Sequence, residues 1–255
     1  MIRIEAISKK FRKLQALDNI SAQFEKGQAI SLIGPNGSGK TTLIKCILGM
    51  VRPNKGNIYV GGHPVKQEHE YRRMIGYMPQ IGRYPDNMRI GQLFSMMKQL
   101  RNDKQGGLDE TLVQQFGLKK IYDKPMRTLS GGTRQKVSAA LAFLFDPAIL
   151  ILDEPTAGLD PLSAEILKAR IIEQKKKDKL ILITSHILSD LDELTTHVMY
   201  MQDGKMVFLK GLDTLQEQTG ELKIGKAIAR IMKADGDQED WIKKMFTPSN
   251  EQKIY

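Results

Sequence analysis

The stretch Gly34-Pro35-Asn36-Gly37-Ser38-Gly39-Lys40-Thr41 decides the fold of this 255-residue chain. It matches G-x-x-x-x-G-K-[ST], a pattern in which glycines let the backbone curl until successive N–H groups converge on phosphate oxygens. The apolar run 29–33 before it predicts a buried strand, and residues 40–48 predict a helix whose N-terminal dipole also favours phosphate. The alternative is an incidental glycine-rich turn. The predicted strand before the stretch and the predicted helix after it argue against this alternative. The stretch therefore predicts a nucleotide-binding α/β domain.

A second signal is a pair of acidic residues that ends the apolar run Ile149-Leu150-Ile151-Leu152-Asp153-Glu154. A buried parallel strand delivers such carboxylates to the sheet edge where ligands bind in open α/β folds. Lys40 would then contact the β- and γ-phosphates, while the Thr41 hydroxyl and Asp153 would hold Mg²⁺. Glu154 would polarise the attacking water as general base. Two acids alone often mark a solvated loop, but together with the phosphate loop they predict an NTPase.

Composition limits the class of protein further. With 41% hydrophobic and 27% charged residues, the chain can bury a sizeable core. No segment reaches the ~20 uninterrupted apolar residues that cross a bilayer, and the N-terminus lacks the apolar core of a signal peptide. We therefore expect a protein that is soluble by itself. The lone Cys46 excludes an internal disulfide and predicts a buried core thiol.

The net charge of +10 arises before residue 203, because basic and acidic residues are equal in number from there to the end. Such an excess favours polyanions, namely nucleotide phosphates, anionic lipids or nucleic acid. Charge alone does not choose among them, and a solvated basic surface is the alternative.

A third motif, Leu129-Ser130-Gly131-Gly132-Thr133-Arg134-Gln135, precedes a predicted helix at 133–145. A serine and two glycines at a helix start offer a hydroxyl and free N–H groups, which suit either a helix cap or a second anion site. Taken with the other two motifs, this stretch resembles the signature of the ATP-binding subunits of ABC transporters. The resemblance covers residues 1 to about 215 and identifies the other two motifs as Walker A and Walker B. Thr133 departs from the Gln of many importer subunits.

The resemblance implies further site residues. Gln80 matches the Q-loop glutamine, which would sense Mg²⁺ and the attacking water. Asp160 matches the D-loop, and His186 matches the switch histidine, a donor to the γ-phosphate. Phe11 is similar to the aromatic residue that stacks on adenine, although Tyr is more usual there. The implied nucleotide contacts are Phe11, Gly34, Pro35, Asn36, Gly37, Ser38, Gly39, Lys40, Thr41, Thr42, Ser130, Gly131, Gly132 and Asp160. The implied catalytic residues are Glu154, His186, Gln80 and Lys40, and the implied metal ligands are Thr41, Gln80 and Asp153.

The resemblance also implies partners. ATP and Mg²⁺ would lie between two copies of the chain arranged head to tail, with the phosphate loop of one facing Ser130-Gly131-Gly132 of the other. The dimer would dock on separate polytopic permease subunits, as a peripheral protein at the cytoplasmic face of the inner (plasma) membrane. We expect no nucleic-acid partner. The alternative is a non-transport ABC-type ATPase that acts on nucleic acid or a macromolecular assembly, and the basic excess is its only support.

A narrower resemblance concerns the kind of transporter. The segment 153–161, DEPTAGLDP, followed by a short C-terminal extension, is similar to stand-alone subunits of ABC-2-type exporters. Residues 81–88 are somewhat similar to subunits of the nitrous oxide reductase maturation system, which is linked to copper-site assembly. Export rests on this resemblance, and the substrate is chosen by membrane subunits that this chain lacks.

The expected fold is α/β: a P-loop NTPase with a mostly parallel sheet core, an N-terminal antiparallel β subdomain and a helical subdomain inserted at about 88–145. The predicted strands are 2–7, 20–25, 29–33, 56–60, 75–78, 149–152, 180–184, 198–201 and 206–209, and the predicted helices outside the insertion include 40–48 and 162–174. Residues 1–215 should form the nucleotide-binding domain and 216–255 a partly flexible extension. That extension would fray from about Asp235 and contain a short amphipathic element at 241–246.

Overall fold

The computed structural model describes residues 1–67, 69–101 and 107–234. The strands in these ranges are β1 Ile2–Phe11, β2 Leu14–Phe24, β3 Ala29–Ile33, β4 Lys55–Val60, β5 His63–Pro64, β6 Ile75–Met78, β7 Ile149–Asp153, β8 Leu180–Thr184, β9 His197–Gln202 and β10 Lys205–Gly211. The α-helices are α1 Lys40–Ile47, α2 Ile90–Arg101, α3 Thr111–Gln115, α4 Gly131–Phe143, α5 Pro161–Lys176, α6 Leu188–Leu191, α7 Leu212–Thr219 and α8 Ile224–Ala234. Single 3-10 turns lie at Glu70–Met74, Leu118–Ile121 and Met126–Thr128.

A six-stranded sheet in the order β10-β9-β3-β8-β7-β6 forms the centre of the fold. Its neighbouring strands are parallel, except that β10 is antiparallel to β9. Strands β3, β7 and β8 are buried at every residue. Apolar side chains cover both faces, because Ile149 and Ile151 belong to one core cluster while Leu150 and Leu152 belong to the other. This two-sided burial explains why these strands are mostly apolar in the sequence without a two-residue alternation.

The two faces of the central sheet are covered by different layers. On one face lie α1 and a four-stranded antiparallel sheet in the order β2-β1-β4-β5. On the other face lie α4, α5 and the helical segments around them, together with α8. The expected α/β fold, with its mostly parallel core, N-terminal antiparallel β subdomain and helical insertion, is confirmed.

The predicted strand ranges differ most from the structure in the N-terminal sheet. Strands β1 and β2 are longer than predicted and pair with register shifts after Ile4 and Ile7. Ala6 and Asn19 have positive φ angles of 47° and 50° at these irregularities. Bulges interrupt the two-residue period, so the alternation that identifies a strand is lost beyond them. The central strands 29–33, 75–78 and 180–184 match the predicted ranges, since a mostly apolar strand is recognised without that period.

The helical subdomain begins at α2 and ends with α4. Helix α4 starts two residues earlier than predicted because the Ser130 hydroxyl caps it, accepting a hydrogen bond from the Thr133 amide at 3.2 Å. On α2, Leu93 is buried and Met96 and Met97 pack against the core, as the periodicity predicts. Leu100 was expected to extend this apolar face but is 70% exposed.

The described part of the C-terminal extension packs against the central domain. Helix α7 runs across the predicted boundary at residues 215 and 216. On α8, Ile224, Ala227 and Ile228 are fully buried in the same core cluster as one face of the sheet. The predicted fraying from Asp235 and the predicted element at 241–246 lie outside the described residues. Within the described ranges, no helix is long and apolar enough to span a bilayer.

Candidate active site

Four loops from distant parts of the chain meet at one edge of the central sheet. Strands β3, β8, β7 and β6 are consecutive neighbours in the sheet and run parallel. Their carboxyl ends therefore share an edge, which is where open α/β sheets bind ligands. The loops that leave this edge carry Gly34–Thr41, Asp153-Glu154, Ser185-His186 and Pro79-Gln80. The topology thus brings together motifs separated by more than a hundred residues of sequence.

A cavity of about 410 Å³ opens at this edge. The predicted site residues that line it are Phe11, Asn36, Gly37, Gly39, Lys40, Thr41, Thr42, Gln80, Asp153, Glu154 and His186. Leu14 and Ala16, which the sequence did not predict, line it as well. Leu14 is the cross-strand partner of Phe11 in the β1–β2 hairpin, so one end of the cavity is apolar and the other polar. The apolar end suits a nucleotide base and the polar end suits its phosphates.

The phosphate loop needs glycine where it passes closest to other backbone. Gly39 has a φ of 102°, and a Cβ there would lie 2.6 Å from the Ala16 carbonyl oxygen. A Cβ on Gly34, at φ 154°, would clash with the Met201 carbonyl oxygen. Strand β2 and the β9–β10 hairpin thus hold the loop from outside, and any side chain at these two positions would push it away from them.

Lys40 opens α1 and folds back over the loop. Its Nζ donates hydrogen bonds to the carbonyl oxygens of Gly34 at 2.7 Å and Pro35 at 3.0 Å. Burial lowers the pKa of Lys40, while the negative charges of Glu154 and Asp153 act in the opposite direction. The ammonium group is therefore held between the loop backbone and the two acids, where it can reach phosphate oxygens.

Asp153 lies at the end of β7 and is only 4% exposed. Burial is the main reason that its pKa is raised. The Thr184 hydroxyl, at the end of the neighbouring β8, donates a hydrogen bond to Asp153 Oδ1 at 2.6 Å. The same hydroxyl accepts a bond from the Glu154 amide at 3.0 Å. Thr184 thus orients both acids, and only the pairing of β7 with β8 identifies this role.

Glu154 and His186 face each other across the polar end of the cavity. The Glu154 Oε1 and His186 Nε2 atoms lie 2.7 Å apart. Glu154 has a φ of 53°, a strained value for a residue with a side chain. Such strain is found at functional sites, where surrounding contacts hold it in place. Here the amide of Glu154 is held by the Thr184 carbonyl and hydroxyl oxygens.

The donor set at the polar end fits Mg²⁺. The Thr41 hydroxyl, the Gln80 amide oxygen and the Asp153 carboxylate are the oxygen ligands that this ion prefers, and Mg²⁺ usually takes few protein ligands besides water and substrate phosphate. No group of three or more His, Cys, Asp or Glu that could hold a metal occurs among the described residues. The Asp153 carboxylate beside a hydroxyl and an amide oxygen agrees with a metal bound jointly by protein and phosphates.

The loop after Gln80 contacts the helical subdomain. The hydroxyl groups of Tyr84 and Ser138 lie 2.8 Å apart, which joins this loop to α4. The sequence did not predict this pair. Because Gln80 lines the cavity and Ser138 lies on the helix that Ser130 caps, the bond connects the nucleotide cavity to the helical subdomain.

The Ser130-Gly131-Gly132 motif does not line the cavity among its described residues. Ser130 is the N-cap of α4, and both Ser130 and Gly131 are exposed. The positive end of the α4 dipole is therefore presented to solvent. The second predicted anion site, at the start of α4, therefore lies apart from the cavity and stays a prediction.

Asp160 likewise does not line the described cavity. Its carboxylate caps α5 by accepting a hydrogen bond from the Ser163 amide at 3.0 Å and lies 2.7 Å from Lys136 Nζ. Hydrogen bonds from Lys136 and Ser163 hold the pKa of Asp160 below its usual range. The expected contact of Asp160 with nucleotide stays a prediction.

The sequence profile of the family described as "ABC transporter" matches residues 17–157. The ABC transporter ATP-binding protein NatA of Bacillus subtilis (strain 168) is 32% identical over 227 residues, which cover 85% of this chain and 92% of NatA. The phospholipid-transporting ATPase ABCA3 of Homo sapiens is 30% identical over 243 residues, or 92% of this chain. The chain spans only 14% of the length of ABCA3, so the similarity concerns one part of that protein.

Solved structures resemble the fold over most of its length. One described as the ATP binding subunit of an ABC transporter is 27% identical, with a TM-score of 0.82, and the match covers 91% of this chain and 99% of that one. A dimeric ATP-binding cassette in a post-hydrolysis state, bound to ADP and Pi, has a TM-score of 0.70 at 21% identity, a likeness of fold. With the phosphate loop, the acid pair and the signature helix in place, the chain belongs to the ABC transporter family as an ATP-binding subunit.

Proposed function

We propose that this chain hydrolyses Mg²⁺-bound ATP and powers an ABC transporter by closing head to tail with a second copy of itself. The observation that carries this proposal is the separation of the two anion sites. The cavity holds the phosphate loop, whereas Ser130 and Gly131 are exposed at the start of α4 and do not line it within the described residues. A second subunit could bring its α4 N-terminus to the open side of the cavity. ATP would then be bound by both copies.

Each residue of the polar end has a role in this scheme. Lys40 neutralises charge on the β- and γ-phosphates, and Glu154 accepts a proton from the attacking water. His186 donates a hydrogen bond to the γ-phosphate, which is consistent with its position 2.7 Å from Glu154. Thr41, Gln80 and Asp153 would hold Mg²⁺, which would supply positive charge to stabilise the phosphates. The products are ADP and inorganic phosphate, and their release would separate the two subunits.

The experiment that tests this proposal replaces Glu154 with Gln. Glu154→Gln keeps the size of the side chain but removes the carboxylate that takes the proton, so turnover should fall at least about a hundredfold. ATP binding should persist, and the variant should elute as a dimer in size-exclusion chromatography with ATP and Mg²⁺. The unmodified chain with ATP and EDTA is the control and should elute as a monomer. Parental turnover by the variant would refute the assignment of Glu154 as general base.

The partners and direction of transport are also proposals. We infer that polytopic permease subunits hold the dimer at the cytoplasmic face of the inner membrane, and that transport is export. Similarity to the Nod factor export ATP-binding protein I of Ralstonia nicotianae, 30% identical over 215 residues, and the resemblance of the segment 153–161 to ABC-2-type exporters support this direction. A tagged chain purified from detergent-solubilised membranes should retain a polytopic protein. Failure to retain one, with the chain recovered only from the aqueous fraction, would favour a non-transport ATPase.

A further inference from the structure

Asp190 on α6 joins the segments on either side of the catalytic pair. Its Oδ2 accepts a hydrogen bond from the Thr156 hydroxyl at 2.9 Å, and its Oδ1 lies 2.7 Å from Lys168 Nζ. Thr156 follows Glu154 by two residues, and Lys168 lies on α5. Asp190 itself is four residues beyond His186. One carboxylate therefore connects the helix after the histidine to the loop after the general base.

These contacts are shielded from solvent. The side chains of Asp190 and Lys168 are 17% and 20% exposed. The hydrogen bond that Lys168 donates to Asp190 is the largest cause of the raised pKa of Lys168. Ion pairs at this depth are screened less by salt than surface pairs and hold their partners more firmly.

His186 depends on its neighbours for its position. Strand β8 ends at Thr184, and the His186 side chain is half exposed. The Ser185 hydroxyl accepts a hydrogen bond from the Ile187 amide at 3.0 Å, which forms a tight turn, but Ile187 is 53% exposed and packs little. Beyond this turn the chain enters α6. Because His186 lies between the end of β8 and the start of α6, the position of α6 sets the orientation of the His186 side chain.

Helix α6 cannot hold itself in place. It has four residues and no side-chain cap at its N-terminus, and so short a helix has little stability of its own. On one side Asp192 accepts a hydrogen bond from the Ile224 amide of α8 at 2.9 Å, and Leu191 is fully buried. On the other side Asp190 reaches Thr156 and Lys168. Loss of Asp190 would leave α6 attached to α8 but free to move relative to Glu154.

We infer that Asp190 is a positioning residue for ATP hydrolysis, which keeps His186 and Glu154 at their mutual distance through Thr156 and Lys168. The inference rests on the proposed function. Asp190 does not line the cavity among the described residues, so it would act on the reaction only through these neighbours. A displacement of about 1 Å in a catalytic group can lower the rate by up to about a hundredfold.

The first test compares Asp190→Ala with Glu165→Ala. Glu165 also contacts Lys168, at 3.1 Å, but it is 71% exposed, so it is a matched control. In Asp190→Ala we expect kcat to fall about tenfold or more, while the KM for ATP changes less than about twofold because the phosphate loop is untouched. Glu165→Ala should stay within about twofold of the parent in both constants. Equal rates in the two variants would overturn the inference.

A double-mutant comparison tests the route through Thr156. Thr156→Val removes the hydroxyl and keeps the shape of the side chain. If Asp190 and Thr156 act through their shared hydrogen bond, Asp190→Ala combined with Thr156→Val should lower kcat no further than Asp190→Ala alone. Losses that multiply would show that the two residues act independently, against the inference.

The third readout does not depend on hydrolysis. The chain has four histidines, and the NMR ring signals of His186 are assigned by their loss in His186→Ala. In Asp190→Ala these signals should shift, while those of His63, His69 and His197 stay in place. Unchanged His186 signals, or equal changes in all four, would overturn the inference. If the parent chain hydrolyses no ATP but the His186 signals still shift, the proposed function fails while the positioning contact stands.

Discussion

At the scale of single residues, burial changes the chemistry of several side chains. It lowers the pKa of Lys40 and raises that of Asp153, and both lie beside groups that favour their charged forms. The Thr184 hydroxyl offsets part of the rise in the pKa of Asp153, because it donates a hydrogen bond to the Asp153 carboxylate. The protein's own contacts therefore hold the polar end of the cavity in place, which is how enzyme sites reduce the cost of reorganisation.

Cys46 offers a prediction at this scale. It is fully buried on α1, and burial raises the pKa of its thiol to about 11. Because the thiolate is the reactive form, almost none is present at pH 8, whereas an unfolded thiol with a pKa of about 8.5 would be partly ionised. We expect iodoacetamide to leave the folded protein unmodified over hours at pH 8 and to label it within minutes in guanidinium chloride, as measured by intact mass. Rapid labelling of the folded protein would contradict the buried position.

At the scale of elements, the phosphate loop and the start of α4 each place a helix N-terminus where an anion is expected, but one is enclosed and the other exposed. Both present helix N-termini to anions. The first is enclosed by β2 and the β9–β10 hairpin, which contact Gly34 and Gly39. The second is exposed, with Ser130 as its cap. Ser130 therefore has a structural role that can be separated from the proposed contact with a partner's ATP.

A charge change at Ser130 separates these two roles. Asp and Asn both cap helices about as well as Ser. The free energies of unfolding of Ser130→Asp and Ser130→Asn should therefore lie within about 0.5 kcal/mol of that of the parent. Ser130→Asp places a negative charge where the γ-phosphate is expected, so ATP should no longer produce a dimer. Ser130→Asn should retain at least part of the dimer, as measured by light scattering.

Mixing provides the complementary measurement. When Ser130→Asp subunits are mixed with Lys40→Ala subunits, a mixed dimer has one site with both an intact Lys40 and an intact Ser130. The mixture should therefore regain part of the ATPase rate. Neither variant should hydrolyse ATP alone. If no ratio of the two recovers activity, the head-to-tail arrangement is wrong.

At the scale of the whole molecule, the central sheet is stabilised by layers on both faces. The antiparallel sheet and α1 cover one face, and the helical layer covers the other. Helix α8 belongs to that second layer, since Ile224, Ala227 and Ile228 are fully buried there. Residues 224–234 are thus part of the packed structure.

A substitution on α8 measures this contribution. Ile228→Ala removes a fully buried side chain and should lower the free energy of unfolding by about 2–5 kcal/mol. Leu222→Ala is the matched control, because Leu222 is 80% exposed and its loss should change stability by less than about 0.5 kcal/mol. Both values come from urea unfolding monitored by circular dichroism. Equal effects in the two variants would mean that α8 does not pack on the core in solution.

The fold was largely predictable because its central features are local in the sequence. Mostly apolar runs identified β3, β6 and β8, and the turn between β9 and β10 has positive φ at Asp203 and Gly204. The phosphate loop and the acid pair were recognisable because their chemistry requires certain residue types at fixed spacing. Bulges in β1 and β2 broke the period that would have given their full length.

The sequence alone determined which residues are predicted to contact the phosphates and which family the chain resembles, because both rest on short contiguous motifs. Only the tertiary structure decided which residues support them. Thr184 meets Asp153 through strand pairing, Leu14 meets Phe11 across a hairpin, and Asp190 meets Thr156 through helix packing. Each of these contacts depends on the position of another element in space. A threonine, leucine or aspartate in a sequence carries no mark of its distant partner, so such contacts become visible only once the chain is folded.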